Sequence, residues 1–264
     1  MKKYLIDENF FNNIDTQDKS YFLGILYADG CHKIERNEIE LQLSGQDVEL
    51  LIKLRDLIFY EPKPFYTKKS KTIKICGIET TRQESNTLSI CNKNISKSLL
   101  THGLIKNKSS TIDYPDFISD ELQSHFIRGY FDGDGSVFLT RKRQISIAII
   151  GSELFCLKLQ SILKQKEIKS SMCKAGNSTK VKSLEIHGNK SGRKFLLWIY
   201  SNASLYLQRK FLKVGEILDT IPKEKPTNCS ICSNKNFRDN YCKQHYYEFI
   251  GRELRHKRYI EKEK

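Results

Sequence analysis

Apolar and polar positions alternate with period two in "CHKIER" (31–36) and "EIELQLS" (38–44), and in "QDVELLIKLRDLIF" (46–59) the apolar residues recur three to four apart. Period two predicts half-buried strands, and the longer spacing predicts a helix with one apolar face. The same succession returns further on: "SVFLTR" (136–141), "QISIAII" (144–150) and "SELFCLKLQSILKQ" (152–165). Two more strand-like runs follow in each half, "TIKICGI" (72–78) and "TLSICN" (87–92) in the first, "SMCKAG" (171–176) and "KSLEIHG" (182–188) in the second. With a closing helix in each half, the predicted order is αββαββα, twice, which places the chain in the α+β class.

Each succession is led by an apolar helix ending on Asp-Gly: "YFLGILYADG" (21–30) and "HFIRGYFDGDG" (125–135). Carboxylates there are unexpected, because the last turn carries the negative pole of the helix dipole and an exposed acid costs roughly 0.3 to 1 kcal/mol. Asp29 and Asp134 occupy the same motif position, 105 residues apart. Gly24 and Ala28 in one copy, and Gly129 and Gly133 in the other, are small residues one turn apart, a spacing that lets two helix backbones approach closely. A duplication of this kind predicts two related halves facing each other across a local two-fold axis. Asp29 and Asp134 then emerge side by side, where a pair of acids can bind metal. A single Asp-Gly is also an ordinary turn signal; two copies in the same setting favour the functional reading.

Composition sharpens the choice of partner. Lys and Arg number 45 against 31 Asp and Glu, a formal charge of +14, which points to a polyanion and first to nucleic acid. No run approaches ~18 unbroken apolar residues, and "MKKYLIDENF" has neither a long apolar stretch nor a cleavage site of small residues. The expectation is a non-secreted protein of the cytoplasm of a bacterial or phage-infected cell, or of an organellar matrix. Five of the eight cysteines are scattered, as reduced thiols are in a reducing compartment.

At its two motifs the sequence resembles the LAGLIDADG homing endonucleases, over about residues 4 to 220. The resemblance implies tandem halves with saddle-shaped antiparallel sheets that face the DNA major groove, and motif helices that form the interface between halves. It implies that Asp29 and Asp134, the last acids of the motifs, bind catalytic Mg²⁺. Asp132 and Tyr27 share the first acidic position, which in the family is not the essential metal ligand. Arg128 and Leu23 stand where the family pattern is usually small. The resemblance further implies a basic residue near the metal from each half, assigned to Lys108, 79 residues after Asp29, and to Lys210, 76 after Asp134. Either lysine is equally explained as a surface residue of a Lys-rich chain.

The implied activity is a monomeric, free-standing, site-specific double-strand DNA endonuclease with a long asymmetric target, of the kind associated with intron mobility. Base contacts are expected from Glu40 and Gln42 on one sheet and Gln144 and Ser146 on the other, because Gln favours adenine and Glu accepts from cytosine. A solvated strand face explains the same residues. Arg141 and Arg143 at a hairpin tip, with Lys68 and Lys69 in the basic loop "KPFYTKKSK" (63–71), are expected phosphate contacts. The alternative function is a LAGLIDADG-type nucleic-acid-binding protein without cleavage, an intron RNA maturase or a transcription regulator.

Near the C-terminus "CSICSNKNFRDNYCKQH" pairs Cys229 with Cys232 and Cys242 with His245, each two residues apart. Four such ligands can converge tetrahedrally on a structural Zn²⁺, with no position left for a catalytic water. The predicted domains are residues 1–108 and 109–221 for the halves, and 222–264 for a linker, a Cys3His zinc module and a basic tail.

Overall fold

Helix α1 (Gln17–Asp29) starts where the Thr16 side chain accepts a hydrogen bond from the Lys19 amide at 3.3 Å, and every residue from Ser20 to Tyr27 is buried. A helix apolar on all sides belongs inside the protein, and in this computed structural model it lies against α4 (Gln123–Asp134). The structure describes residues 4–76, 78–106, 108–176, 180–221 and 244. The chain divides into Met1–Ile221 and Pro222–Lys264. Cys229, Cys232, Cys242 and His245, and with them the expected zinc module, lie outside the described residues.

Glycine permits the contact between α1 and α4. A Cβ built on Gly24 would collide with the Phe126 carbonyl oxygen and lie 3.0 Å from the Tyr130 nitrogen. One built on Gly129 would collide with the Tyr21 carbonyl oxygen and lie 2.8 Å from the Ile25 nitrogen. The backbones therefore touch, despite the bulk of Leu23 and Arg128, both of which are fully buried.

Each half builds the same sheet. In the first, β1 (Gly30–Lys33), β2 (Glu38–Ser44), β3 (Tyr66–Lys68) and β6 (Ser85–Cys91) are ordered β1-β2-β6-β3. In the second, β7 (Gly135–Leu139), β8 (Ile145–Ser152), β9 (Ser171–Lys174) and β10 (Val181–His187) are ordered β7-β8-β10-β9. All pairings are antiparallel. The inner faces put Ile39, Leu41, Leu88 and Ile90 in one half, and Ile147, Ile149, Leu184 and Ile186 in the other, into the core. Helices α2 (Val48–Ile58) and α3 (Lys93–Thr101) cover the first sheet, and α5 (Glu153–Gln165) and α6 (Asn189–Tyr200) the second. A further helix, α7 (Gln208–Thr220), follows α6.

One expected strand is a hairpin instead. "TIKICGI" divides between β4 (Lys71–Ile75) and β5 (Ile78–Arg82), which pair only with each other, Ile75 opposite Ile78. Cys76 sits at φ 50, in the left-handed region that reverses a chain, so an unbroken strand across it is excluded. The sheet position expected for that run is filled by the short β3, within the segment read as a basic loop.

The seam gives a direct test by chemical denaturation. Gly129→Ala should lower stability by about 1 to 3 kcal/mol, because backbone atoms must move to admit the methyl group. Gly215→Ala, in the exposed middle of α7 with nothing within 4 Å of the new Cβ, should raise it by about 0.4 to 1 kcal/mol.

Candidate metal and nucleic-acid site

Because α1 and α4 run together and stop together, their terminal acids meet. Gly133 makes room: a Cβ there would lie 2.9 Å from Asp29 Oδ2, so the Asp29 carboxylate rests on the backbone one residue before Asp134. Both acids are exposed. Behind them lie two lysines, each only 8% exposed. Lys108 Nζ, on the single 3-10 turn Lys108–Ser110, donates to the carbonyls of Ala28 at 2.9 Å and Gly30 at 2.6 Å. Lys210 Nζ, in the first turn of α7, donates to the carbonyls of Phe131 and Gly135.

These contacts explain how acids are tolerated at helix C-termini. The last carbonyls of a helix have no partner within it and concentrate the negative end of its dipole. An ammonium group seated on those carbonyls satisfies them and supplies a positive charge beneath the carboxylate. Each motif helix is thus closed by a lysine of its own half, and the acid stands beyond the lysine.

The four charges shift one another. Partial removal from water, then the neighbouring charge of Asp29, push the Asp134 carboxyl up to about 6, with Lys108 and Lys210 opposing. Asp29 is likewise raised by burial, against the pull of the same two lysines. Burial lowers Lys108, and lowers Lys210 to about 8, while nearby carboxylates work to keep both charged. Among the described residues no third Asp, Glu, His or Cys completes a metal-binding group with the two acids. Two exposed carboxylates on a rigid base suit a hard cation such as Mg²⁺, which keeps several waters and fills its remaining positions with substrate phosphate oxygens.

The outer sheet faces carry most of the residues expected to read bases. In an antiparallel pair, residues directly opposite share a face, so Glu38, Glu40 and Gln42 of β2 lie beside Cys91, Ser89 and Thr87 of β6. Glu40 is paired with Lys33 at 2.6 Å, and Gln42 donates to Ser85 at 3.1 Å and faces Lys68 at 3.5 Å. On the second sheet Arg141, Arg143 and Gln144 are exposed at the β7–β8 turn. Ser146 is different: it is on the outward face but only 6% exposed, flanked by Phe138 and His187, with His187 Nδ1 at 3.2 Å from its hydroxyl. Its cross-strand neighbours, which are larger, cover it. Lys68 and Lys69 are exposed. A cleft of about 710 Å³ beside Lys108 is lined by Lys33, Arg36 and Lys106, with Glu35 as the one acid.

The LAGLIDADG-like domain family matches residues 121–199. The second half of the chain therefore carries a LAGLIDADG-like domain. No curated protein sequence matches the chain. Among solved structures, the homing endonuclease I-WcaI bound to its DNA recognition sequence aligns at a TM-score of 0.50 and 16% identity, over 74% of this chain and 84% of that one. The fold is therefore shared with a homing endonuclease. I-DmoI in complex with DNA and Ca aligns at 0.47 and 14%, over 79% of this chain and 99% of that one. Full-length DUF199/WhiA from Thermatoga maritima aligns at 0.44 and 18%, over 82% of this chain, which spans 66% of the WhiA chain.

Around α1 and α4 the structure also shows polar residues that sequence reasoning left without a role. Asp132 is fully buried and accepts hydrogen bonds from Tyr21 at 2.7 Å, Tyr200 at 2.5 Å and the Leu207 amide at 2.8 Å. Arg128, also fully buried, donates to the carbonyls of Leu205 and Ile199, each at 2.8 Å, and lies over the Tyr21 ring. The available signal was two charged residues, at 128 and 132, one turn apart within the apolar stretch that begins at Phe126.

Asp134 should titrate near 6 in carbon-detected NMR of the metal-free protein, and Asp29→Asn should lower that midpoint by removing the neighbouring negative charge. The raised value means that the folded state binds more protons than the unfolded state between about pH 4 and 6. Stability should therefore fall as pH rises through that window, and fall less steeply in Asp134→Asn.

Proposed function

We propose that this protein is a metal-dependent, site-specific double-strand DNA endonuclease, acting as a monomer on a long asymmetric site. The observation that carries the reading is the pair of exposed acids at the ends of abutting helices, each backed by a buried lysine from its own half. Asp29 and Asp134 would hold divalent metal, for which Mg²⁺ has the right ligand preference. Metal bound there would supply Lewis acidity at the phosphate and a more acidic water for in-line attack at phosphorus. Lys108 and Lys210 place positive charge under the acids and hold the helix ends still, so that charge gathering on the phosphate oxygens meets a preorganised field. With one acid and one lysine per half, the site can serve two scissile bonds.

DNA as partner is supported by the charge of +14 and by the basic cleft beside Lys108. The DNA-bound I-WcaI structure has the same fold. An asymmetric target follows from the unlike outer faces: Glu38, Glu40 and Gln42 on the first sheet, and Phe138, Ile150, Glu185 and His187 on the second. Glu40, Gln42 and Gln144 are proposed to meet base edges, and Arg141, Arg143, Lys68 and Lys69 to meet phosphates, as expected of an enzyme of intron mobility.

The test is cleavage of a randomised duplex library with Mg²⁺. The native protein should cut both strands at one sequence, and Asp29→Asn or Asp134→Asn should lower the rate by roughly a hundred-fold or more, about 2.7 kcal/mol of barrier. Tight binding to one DNA or RNA sequence without any cutting would instead make it a regulator or an RNA maturase.

Cys229, Cys232, Cys242 and His245 are proposed, on their spacing, to hold a structural Zn²⁺. Elemental analysis of the purified protein should find about one zinc per chain, lost in Cys229→Ser with Cys242→Ser.

A further inference from the structure

Tyr27 and Asp132 stand two residues before the terminal acids and, like them, are 105 residues apart. Their chemistry differs, yet each reaches the segment that delivers its half's lysine. The Tyr27 hydroxyl donates to the carbonyl of His102, at the end of α3 and six residues before Lys108. Gly103, at φ +88, turns the chain there, and a Cβ on it would lie 2.8 Å from the Tyr27 oxygen. Asp132 accepts from the Leu207 amide at the start of α7, three residues before Lys210, and Arg128 holds the carbonyl of Leu205 in the same segment.

A second matched pair, Asp47 and Ser152, is again 105 residues apart and gives each lysine-bearing segment a further hold. Arg209, beside Lys210, places Nε 3.2 Å from both oxygens of Asp47 in the first half. The Ser152 hydroxyl, in the second half, donates to the Ile112 carbonyl just after Lys108. Each segment is thus fixed at two or more points in addition to its lysine, one of them on its own motif helix.

We propose that Tyr27 and Asp132 are positioning residues, which hold Lys108 and Lys210 respectively against the ends of their motif helices and so govern the two strand cuts separately. The proposal rests on the endonuclease reading for its effect on cutting, and on geometry alone for its effect on the lysines. Neither residue can touch substrate: Tyr27 is 2% exposed and Asp132 0%. Any influence on a phosphate must pass through the segments they hold. Damage to the fold at large would impair both cuts together, whereas loosening one segment would impair one.

The test compares Tyr27→Phe and Asp132→Asn, both checked for native circular dichroism, on the selected target duplex labelled on either strand. Lys108→Met and Lys210→Met establish which strand each lysine serves. Tyr27→Phe should slow the strand slowed by Lys108→Met, and Asp132→Asn the strand slowed by Lys210→Met, by roughly ten- to a hundred-fold, so that opposite nicked intermediates accumulate. The loss should fall on kcat with little change in KM. Equal slowing of both strands would overturn the proposal.

An independent measurement needs no cleavage: brief acetylation with N-hydroxysuccinimidyl acetate, read by peptide mass spectrometry. Lys108 should react several-fold faster in Tyr27→Phe, and Lys210 in Asp132→Asn, with the exposed lysines unchanged. If the native protein cuts no duplex, the endonuclease reading falls and this measurement alone decides. Unaltered labelling of Lys108 and Lys210 overturns the positioning role.

Discussion

Backbone contact between α1 and α4 is the constraint from which the rest of the structure follows. With glycine at 24 and 129, main-chain atoms of one helix take the space that side chains would otherwise fill, and at Gly133 the Ala28 and Asp29 side chains take it. Two helices held that closely end at one place, and the strands leaving them, β1 and β7, start from one place too. Each sheet is tied to its helix end with no intervening loop, so the spacing of the two outer faces is set by the same seam that brings Asp29 and Asp134 together.

That arrangement gathers negative charge at one point: two carboxylates and the carbonyl ends of two helices. Burying a lysine normally costs more than leaving it in water. Here each buried ammonium offsets that cost by hydrogen-bonding to carbonyls at the end of its motif helix, and each sits near acids that favour its charged form. At the surface Asp134 remains raised, first by partial burial and then by the charge of Asp29. Under the proposed function, a divalent ion on the open side of the two acids would relieve that repulsion.

Much of this was legible in the residues. Period-two runs located the sheets because one face of each is core and the other is not, and the 105-residue offset announced two equivalent halves. Small residues one turn apart announced the seam. Other features were not legible, for identifiable reasons. The reversal at Cys76 depends on a left-handed residue inside a run whose alternation continues through it. The cover over Ser146 comes from Phe138 and His187, neighbours in register but distant in sequence. Burial of Lys108 and Lys210 depends on where the segments after α3 and α6 return, and composition made every lysine look like a surface residue.

The 105-residue offset also separates what the architecture requires from what it leaves open. Terminal motif positions keep the same residue, Asp29 and Asp134, and the lysines keep one equivalent partner, the carbonyl of the glycine that follows each acid. At 27 and 132 the location is kept but the chemistry is exchanged: a tyrosine donor meets a carbonyl in one half, and a carboxylate acceptor meets an amide in the other. At 47 and 152 an ion pair answers to a hydroxyl–carbonyl hydrogen bond. The halves solve one mechanical problem, holding a buried lysine under an exposed acid, with different bonds at the same places. The supporting contacts have freedom to change as long as they end on the same segment. The acid and the lysine have much less, since each also answers to the charge of the other and to the end of the helix between them.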